Sequence, residues 1–149
     1  MSAAIVSALH LLALVLGLSS VYFRGRALRG RLDSDGFKRL FVADSVWGIA
    51  AGLWLVTGLL RVFGGLEKGT AFYFASTLFW IKMALFALIL ILEIWPMTTF
   101  IRWRIALRRG AAPDTAAARG LYRVNHVEMA VVVLMVFVAA FMARGFGVK

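Results

Sequence analysis

The amino-acid sequence predicts an all-α integral membrane protein, a four-helix transmembrane bundle with both termini on the non-cytoplasmic side. Of its 149 residues, 62% are hydrophobic and 16% are charged, and a soluble domain this small cannot bury so much apolar surface. The apolar residues fall in four blocks, and runs of about 18 or more such residues are typical of helices that cross a bilayer. The basic residues concentrate between alternate blocks. The lipid bilayer is therefore the first expected partner.

The whole chain, 1–149, is expected to form one transmembrane domain. Helices are expected because unsatisfied backbone groups in lipid are too costly for open strands. The third block contains Pro96, which is expected to kink its helix. In the second block, Gly48 and Gly52 have the small-xxx-small spacing that lets helices approach closely. The spans are predicted at residues 3–23, 40–63, 72–101 and 121–143.

The distribution of basic residues predicts the orientation. Six follow the first span and six follow the third span: Arg24, Arg26, Arg29, Arg31, Lys38 and Arg39, then Arg102, Arg104, Arg108, Arg109, Arg119 and Arg123. The opposite face has four: Arg61, Lys68, Arg144 and Lys149. This asymmetry places both long loops in the cytoplasm. Since the net charge of +10 is then a topological signal, nucleic acid is not an expected partner.

Polar residues inside the spans are the functional candidates, because holding such a group in lipid is costly unless it is paired. His10 and Lys82 lie at a similar depth in the predicted outer half, with Met135 at about the same level. A second layer is predicted in the cytoplasmic half, ringed by arginines; it contains Asp44, Glu93, Asn125 and Glu128. The chain has no cysteine, which excludes disulfides and thiolate chemistry.

The cytoplasmic layer has two interpretations that the sequence leaves open. In the first, its carboxylates form structural ion pairs, with Asp44 meeting Arg24 or Arg123. In the second, they form a proton path or a site for a hard metal ion, although the Glu-x-x-His spacing of carboxylate-bridged di-iron proteins is not present. His126 points away from Glu128 on a helix and is expected near the headgroups.

The outer layer also has two interpretations. His10 is either hydrogen-bonded to a neighbouring helix or ligates a metal. A histidine, a methionine and a lysine at one depth are acceptable as axial ligands of haem or as partners of its propionates. Alternatively, the fourth span could bind copper, since thioether sulfur is a suitable ligand for Cu(I). The candidate ligands there are Met129, Met135 and Met142.

Three segments carry a resemblance to a known superfamily: ALHLLALVLGLSSVYFRGRAL in the first span, FWIKMALFALILILE in the third and RVNHVEMAVVVLMVF in the fourth. They resemble the HemJ/CopD-like superfamily of small four-helix bacterial membrane proteins, which includes an oxygen-independent type of protoporphyrinogen oxidase. The chain also resembles predicted bacterial membrane proteins known only as a domain of unknown function.

The resemblance implies a haem b-binding oxidoreductase of the bacterial cytoplasmic (inner) membrane, which oxidises a porphyrinogen or passes electrons to quinone. It implies that His10 ligates iron, that Lys82 partners a porphyrin carboxylate and that Asn125 belongs to the same site. Met135 is a further candidate for cofactor binding. The candidate catalytic residues are Lys82, Glu93 and Glu128.

This chain departs from the HemJ type at two positions. Glu93 stands where that type has a histidine, and His126 replaces the acidic residue after the asparagine. The alternative is therefore a non-enzymatic module: a small transporter, a proton-, ion- or copper-handling protein, or an assembly factor. A transporter this short is expected to form a homo-oligomer.

Overall fold

The structure is a computed structural model that describes residues 1–66 and 68–147, and these form α-helices joined by short loops. The helices are α1 (Ser2–Arg29), α2 (Ser34–Phe63), α3 (Thr70–Ala75), α4 (Thr77–Arg108) and α5 (Ala118–Ala143). All except the six-residue α3 are long and apolar enough to cross a membrane. The predicted all-α class with four membrane helices is thus confirmed. Lys149, which the charge pattern assigned to the outer face, lies outside the described residues.

On the predicted cytoplasmic side, the helices continue beyond the apolar blocks. The second block was predicted to begin at residue 40, after Lys38 and Arg39. The helix begins earlier because Asp33 caps it: the Asp33 Oδ1 accepts a hydrogen bond of 2.9 Å from the backbone N–H of Gly36. Basic residues are good helix formers, so α2 extends through Lys38 and Arg39 beyond the apolar block.

The predicted third span is divided into α3 and α4 at Ser76. The carbonyl of Tyr73 accepts from the N–H of Ser76 at 3.1 Å, and the N–H of Thr77 donates instead to the carbonyl of Gly147 at 2.8 Å. This exchange breaks the helical ladder where the chain meets its own C-terminal segment. Further along, α4 is continuous through the buried Pro96.

α1 packs against α2 on one side and α5 on the other, and α5 packs against α4. Small residues lie at the close contacts: a Cβ on Gly17 of α1 would lie 3.2 Å from the Trp47 ring and 3.7 Å from the Cβ of Ala50. A Cβ on Gly48 or Gly52 would meet nothing within 4 Å. The predicted small-xxx-small pair therefore faces away from the bundle, and the α1–α2 approach relies on Gly17.

Buried apolar side chains form three layers along the bundle. The first, near the predicted cytoplasmic side, contains Leu28, Phe37, Leu40, Phe100, Trp103 and Leu121. The middle layer contains Val21, Trp47, Ile89, Val131, Val132 and Met135. The third, near the predicted outer side, contains Tyr73, Phe79 and Met142. The polar groups of the spans lie between and beside these layers.

Candidate functional site

A buried charge, Arg24, lies at the boundary between the first two apolar layers. Its side chain is 0% exposed, and its Cζ lies 5.8 Å from the ring centroids of both Trp47 and Phe100. Arg24 follows His10 and Gly17 at intervals of seven residues, so all three share one face of α1. Arg24 therefore lies on the buried face of α1, and its guanidinium group is in the interior of the bundle.

The guanidinium of Arg24 contacts four side chains from three other helices. Its Nε donates to Asn125 Oδ1 at 2.8 Å. Its Nη1 and Nη2 donate to Glu93 Oε1 and Oε2 at 2.7 and 2.9 Å, and Nη2 also donates to Glu128 Oε2. Nη1 lies 3.5 Å from Asp44 Oδ1. Charge-assisted and bidentate hydrogen bonds are the strong ones, so these residues form one connected set, the Arg24 network.

Further hydrogen bonds fix the edge of the Arg24 network. Asp44 Oδ2 accepts from Arg104 Nη2 of α4 at 2.8 Å, and the same nitrogen donates to the carbonyl of Phe41 at 3.1 Å. Asn125 Nδ2 donates to the carbonyl of Val21 at 2.8 Å. The predicted pairing of Asp44 with Arg24 is confirmed, with Arg104 as a second partner. The network thereby ties all four long helices together.

The other half of the bundle contains a cavity of about 310 Å³, here called the outer cavity. All five helices contribute to its lining, which is mostly aromatic and aliphatic. Its volume lies within the range of about 300–1,000 Å³ that is typical of small-molecule sites. Polar or cationic lining side chains are His10, Arg61, Lys68 and Lys82. The chemistry of this lining suits a largely apolar ligand that carries negative charge.

His10 is held at the outer cavity by a hydrogen bond to α2. Its Nδ1 lies 2.8 Å from Thr57 Oγ1, and the Thr57 hydroxyl donates to the carbonyl of Leu53 at 2.6 Å. When the single hydrogen of the Thr57 hydroxyl is directed to Leu53, His10 Nδ1 is the donor in this pair, as in an imidazole protonated at Nδ1. The predicted hydrogen bond between His10 and a neighbouring helix is confirmed.

The loop between α2 and α3 is fastened to the end of α5 beside the outer cavity. Lys68 Nζ donates to the carbonyl of Ala143 at 2.7 Å and lies 4.4 Å from the centroid of the Phe72 ring. Both Lys68 and Phe72 line the cavity. The loop and α3 therefore close this end of the bundle and bring a cation to the cavity rim.

Comparison with known proteins places this architecture in a family. Residues 2–147 match the family model described as predicted membrane protein, DUF2214. The chain belongs to this family. No curated protein and no solved structure matches it. DUF2214 membership agrees with the four membrane helices and covers both the Arg24 network and the outer cavity.

In this DUF2214 protein, the predicted site residues divide between two places. His10, Lys82 and Met135 line the outer cavity, whereas Glu93, Glu128 and Asn125 belong to the Arg24 network. The resemblance grouped Asn125 with His10, but it lies ten residues before Met135 on α5, about 15 Å along the helix axis at 1.5 Å per residue. Its side chain bonds Arg24 instead.

The candidate metal ligands are also separated. Met135 and Met142 line the outer cavity, and Met129 is not among the lining residues. Within residues 1–66 and 68–147, no group of three or more His, Asp or Glu side chains is arranged to hold a metal ion. His126 is exposed whereas Glu128 is buried, so the two point in different directions as predicted, and His126 Nδ1 lies 2.9 Å from the Tyr122 carbonyl.

The sequence analysis gave an incomplete account of three side chains of these two sites. Arg24 was expected only as a topological charge and as one of two possible partners of Asp44, although its shared face with His10 and Gly17 indicated a buried position. Arg104 was assigned to the cytoplasmic loop, yet it lies on α4 beside Asp44. Thr57 gave no signal, since a single hydroxyl in an apolar helix commonly bonds its own backbone.

Proposed function

We propose that this protein binds haem b in the outer cavity and works as a membrane redox protein, with His10 as the residue that would bind the iron. The hydrogen bond from His10 Nδ1 to Thr57 is the observation that supports this function most directly. Histidines that ligate metals usually donate their other ring N–H to a protein acceptor, which fixes the tautomer and the ring orientation. His10 is 8% exposed and has this arrangement.

The rest of the lining fits the same ligand. Met135 is buried at the cavity, and its thioether would be a second candidate to bind the haem iron. Trp54 and Phe86 supply apolar surface for a flat macrocycle, while Lys82 and Arg61 supply positive charge for its carboxylates. When bound, haem supplies one-electron chemistry. The chain's own residues orient it, neutralise its charge and exclude water.

The substrate class follows from the resemblance to the HemJ type. A porphyrinogen is a puckered tetrapyrrole, because its rings are joined by sp3 methylene bridges, but it carries the same kind of carboxylate groups as haem. The apolar lining and the nearby cations therefore suit it as well. Quinone is the corresponding electron acceptor dissolved in lipid. We place the protein in the bacterial cytoplasmic membrane, with the outer cavity in the leaflet away from the cytoplasm.

The visible spectrum of the purified protein tests haem binding. The full chain is expressed with added haem, extracted in detergent, and compared with His10→Ala and with His126→Ala, which removes the exposed histidine. The wild type and His126→Ala are expected to show a Soret band, and His10→Ala is expected to lose it. A wild type without this band, or an unchanged band in His10→Ala, would overturn the assignment.

A second candidate function, a non-enzymatic proton- or ion-handling module, is favoured by a different observation. Glu93 and Glu128 are carboxylates inside the bundle and contact one guanidinium, and paths for ions need groups whose charge can change. Proton flux into proteoliposomes tests it. Flux is expected to fall in Glu93→Gln and Glu128→Gln, and flux that survives both changes would count against a path through them.

A further inference from the structure

The Arg24 network contains more negative than positive charge. Three carboxyl groups, those of Asp44, Glu93 and Glu128, contact two guanidinium groups, those of Arg24 and Arg104. Asp44 is matched by Arg104 at 2.8 Å. Arg24 alone then faces the carboxyls of Glu93 and Glu128. A net charge inside a membrane bundle is costly, because burial removes its hydration.

The carboxyl groups of Glu93 and Glu128 are hydrogen-bonded to the same nitrogen atom of Arg24. The Oε2 atoms of both accept hydrogen bonds from Arg24 Nη2, so the two carboxyl groups meet at a single donor atom. Two ionised carboxylates in such positions repel each other, and the one guanidinium between them balances only one of their two charges. Neighbouring carboxyl groups relieve this repulsion by sharing one proton.

The surroundings of Glu128 favour it as the residue that carries the proton. Its side chain is 0% exposed, and its Oε1 is buried with no hydrogen-bond partner among the described residues. An ionised carboxylate needs donors at both oxygens, so this environment penalises the charged form more than the neutral form. Glu93, by contrast, has both oxygens bonded to Arg24 and is 18% exposed.

The other groups that face this pair leave its charge unbalanced. These groups are Arg24 of α1, Asp44 of α2, Arg104 of α4 and the neutral Asn125 of α5. His126 lies on the exposed side of α5 and bonds the Tyr122 carbonyl, so it does not balance the pair. The other described groups of the network therefore supply no second positive charge for Glu93 and Glu128.

We propose that the Arg24 network is a binding site for one exchangeable proton, held between Glu93 and Glu128. The partly exposed Glu93 is the route by which the proton exchanges with water. The site lies in the predicted cytoplasmic half, seven residues along α5 from Met135 at the outer cavity, about 10 Å at helical rise. The proton site does not depend on the ligand of the outer cavity, so this proposal stands whether or not haem binds there.

Infrared spectroscopy of the full chain in lipid tests this site. The chain has three glutamates, Glu67, Glu93 and Glu128, so ¹³C-glutamate labelling separates their carboxyl bands from those of aspartate. At neutral pH we expect a protonated-carboxyl C=O band that shifts with this label and shifts again in deuterium oxide. Glu67→Gln, a change outside the described residues, is expected to retain the band, as is Asp35→Asn at an exposed position.

Glu93→Gln and Glu128→Gln are each expected to remove the band, because either change removes one unmatched carboxylate. If these variants fail to fold, the labelled wild type and Glu67→Gln still decide the outcome. The proposal is refuted if the wild type has no protonated-carboxyl band or if the band does not shift with the glutamate label. It is also refuted if Glu67→Gln abolishes the band. It is equally refuted if the band persists in folded Glu93→Gln and Glu128→Gln.

Discussion

Arg24 of α1 and Glu93 of α4 form two parallel hydrogen bonds, 2.7 and 2.9 Å long, inside the bundle. α1 and α4 each pack against α5, and this pair of side chains joins them directly. A bidentate pair fixes both distance and orientation. The contact therefore sets the position of α4 relative to the rest of the bundle.

Arg24→Met is expected to destabilise the protein by about 3–5 kcal/mol, the usual cost of leaving a buried charge without its partner. Arg24→Lys is expected to recover little, because an ammonium group cannot make the bidentate contact. Unfolding of the detergent-solubilised protein measures the effect. The matched control is Arg26→Met, at an exposed position two residues away. Equal stability of the Arg24 and Arg26 variants would contradict the central role of Arg24.

Gly25→Ala is expected to disturb the Arg24 network without touching a charge. A Cβ at this position would lie 2.8 Å from Asn125 Nδ2, so the amide that holds Arg24 Nε must move. We expect a loss of thermal stability. Gly48→Ala serves as the control, since a Cβ there meets nothing within 4 Å. A Gly25→Ala variant as stable as Gly48→Ala would show that Asn125 does not hold Arg24 in place.

Thr57→Val is expected to weaken haem binding about 10- to 100-fold, the usual effect of removing the group that orients a ligating histidine. Valine keeps the shape and removes the acceptor of the His10 N–H. Haem titration followed by absorbance measures the affinity. Thr98→Val is the control, because Thr98 does not line the outer cavity and its hydroxyl bonds carbonyls of its own helix. Unchanged affinity in Thr57→Val would remove Thr57 from the site.

Lys82→Met is expected to reduce haem affinity about tenfold, the scale of one hydrogen bond to a charged group. The dimethyl ester of haem, whose carboxylates are blocked, is expected to bind the wild type and the variant equally. Titrating both ligands into both proteins isolates the lysine–carboxylate interaction. An equal loss for the acid and the ester would mean that Lys82 acts through packing.

The orientation can be measured directly because the chain has no native cysteine. A cysteine at Ser2, at the start of α1, is expected to react with a membrane-impermeant maleimide in intact cells. A cysteine at Ala112, in the loop between α4 and α5, is expected to react only after lysis. The reverse labelling pattern would show that the bundle has the opposite orientation, with the outer cavity on the cytoplasmic side.

The fold was largely predictable because lipid imposes a simple rule on the chain. The length of the apolar runs identified all four long helices. Because backbone N–H and C=O groups must be hydrogen-bonded within the chain in lipid, the α-helix was the expected structure of each run. The break at Ser76 was not predictable, since it depends on a hydrogen bond between Thr77 and Gly147, which are distant in sequence. Nor could spacing show whether Gly48 and Gly52 face a helix or the lipid.

The candidate site was predictable in depth but not in its contacts. Counting helical rise put His10, Lys82 and Met135 at one level, and they line one cavity. The same counting put Asp44, Glu93, Asn125 and Glu128 in the cytoplasmic half. That Arg24 would stand at their centre depends on how α1 is rotated against α4 and α5, which one-dimensional periodicity does not fix.

Imidazole rescue of His10→Gly tests the central claim, that His10 ligates haem in the outer cavity, most directly. The variant is predicted to lack a Soret band when purified with haem and to gain one when imidazole is added, because imidazole can occupy the space that the His10 ring leaves. His126→Gly is predicted to bind haem without imidazole. A His10→Gly variant that binds haem unaided, or a wild type that binds none, would contradict the claim.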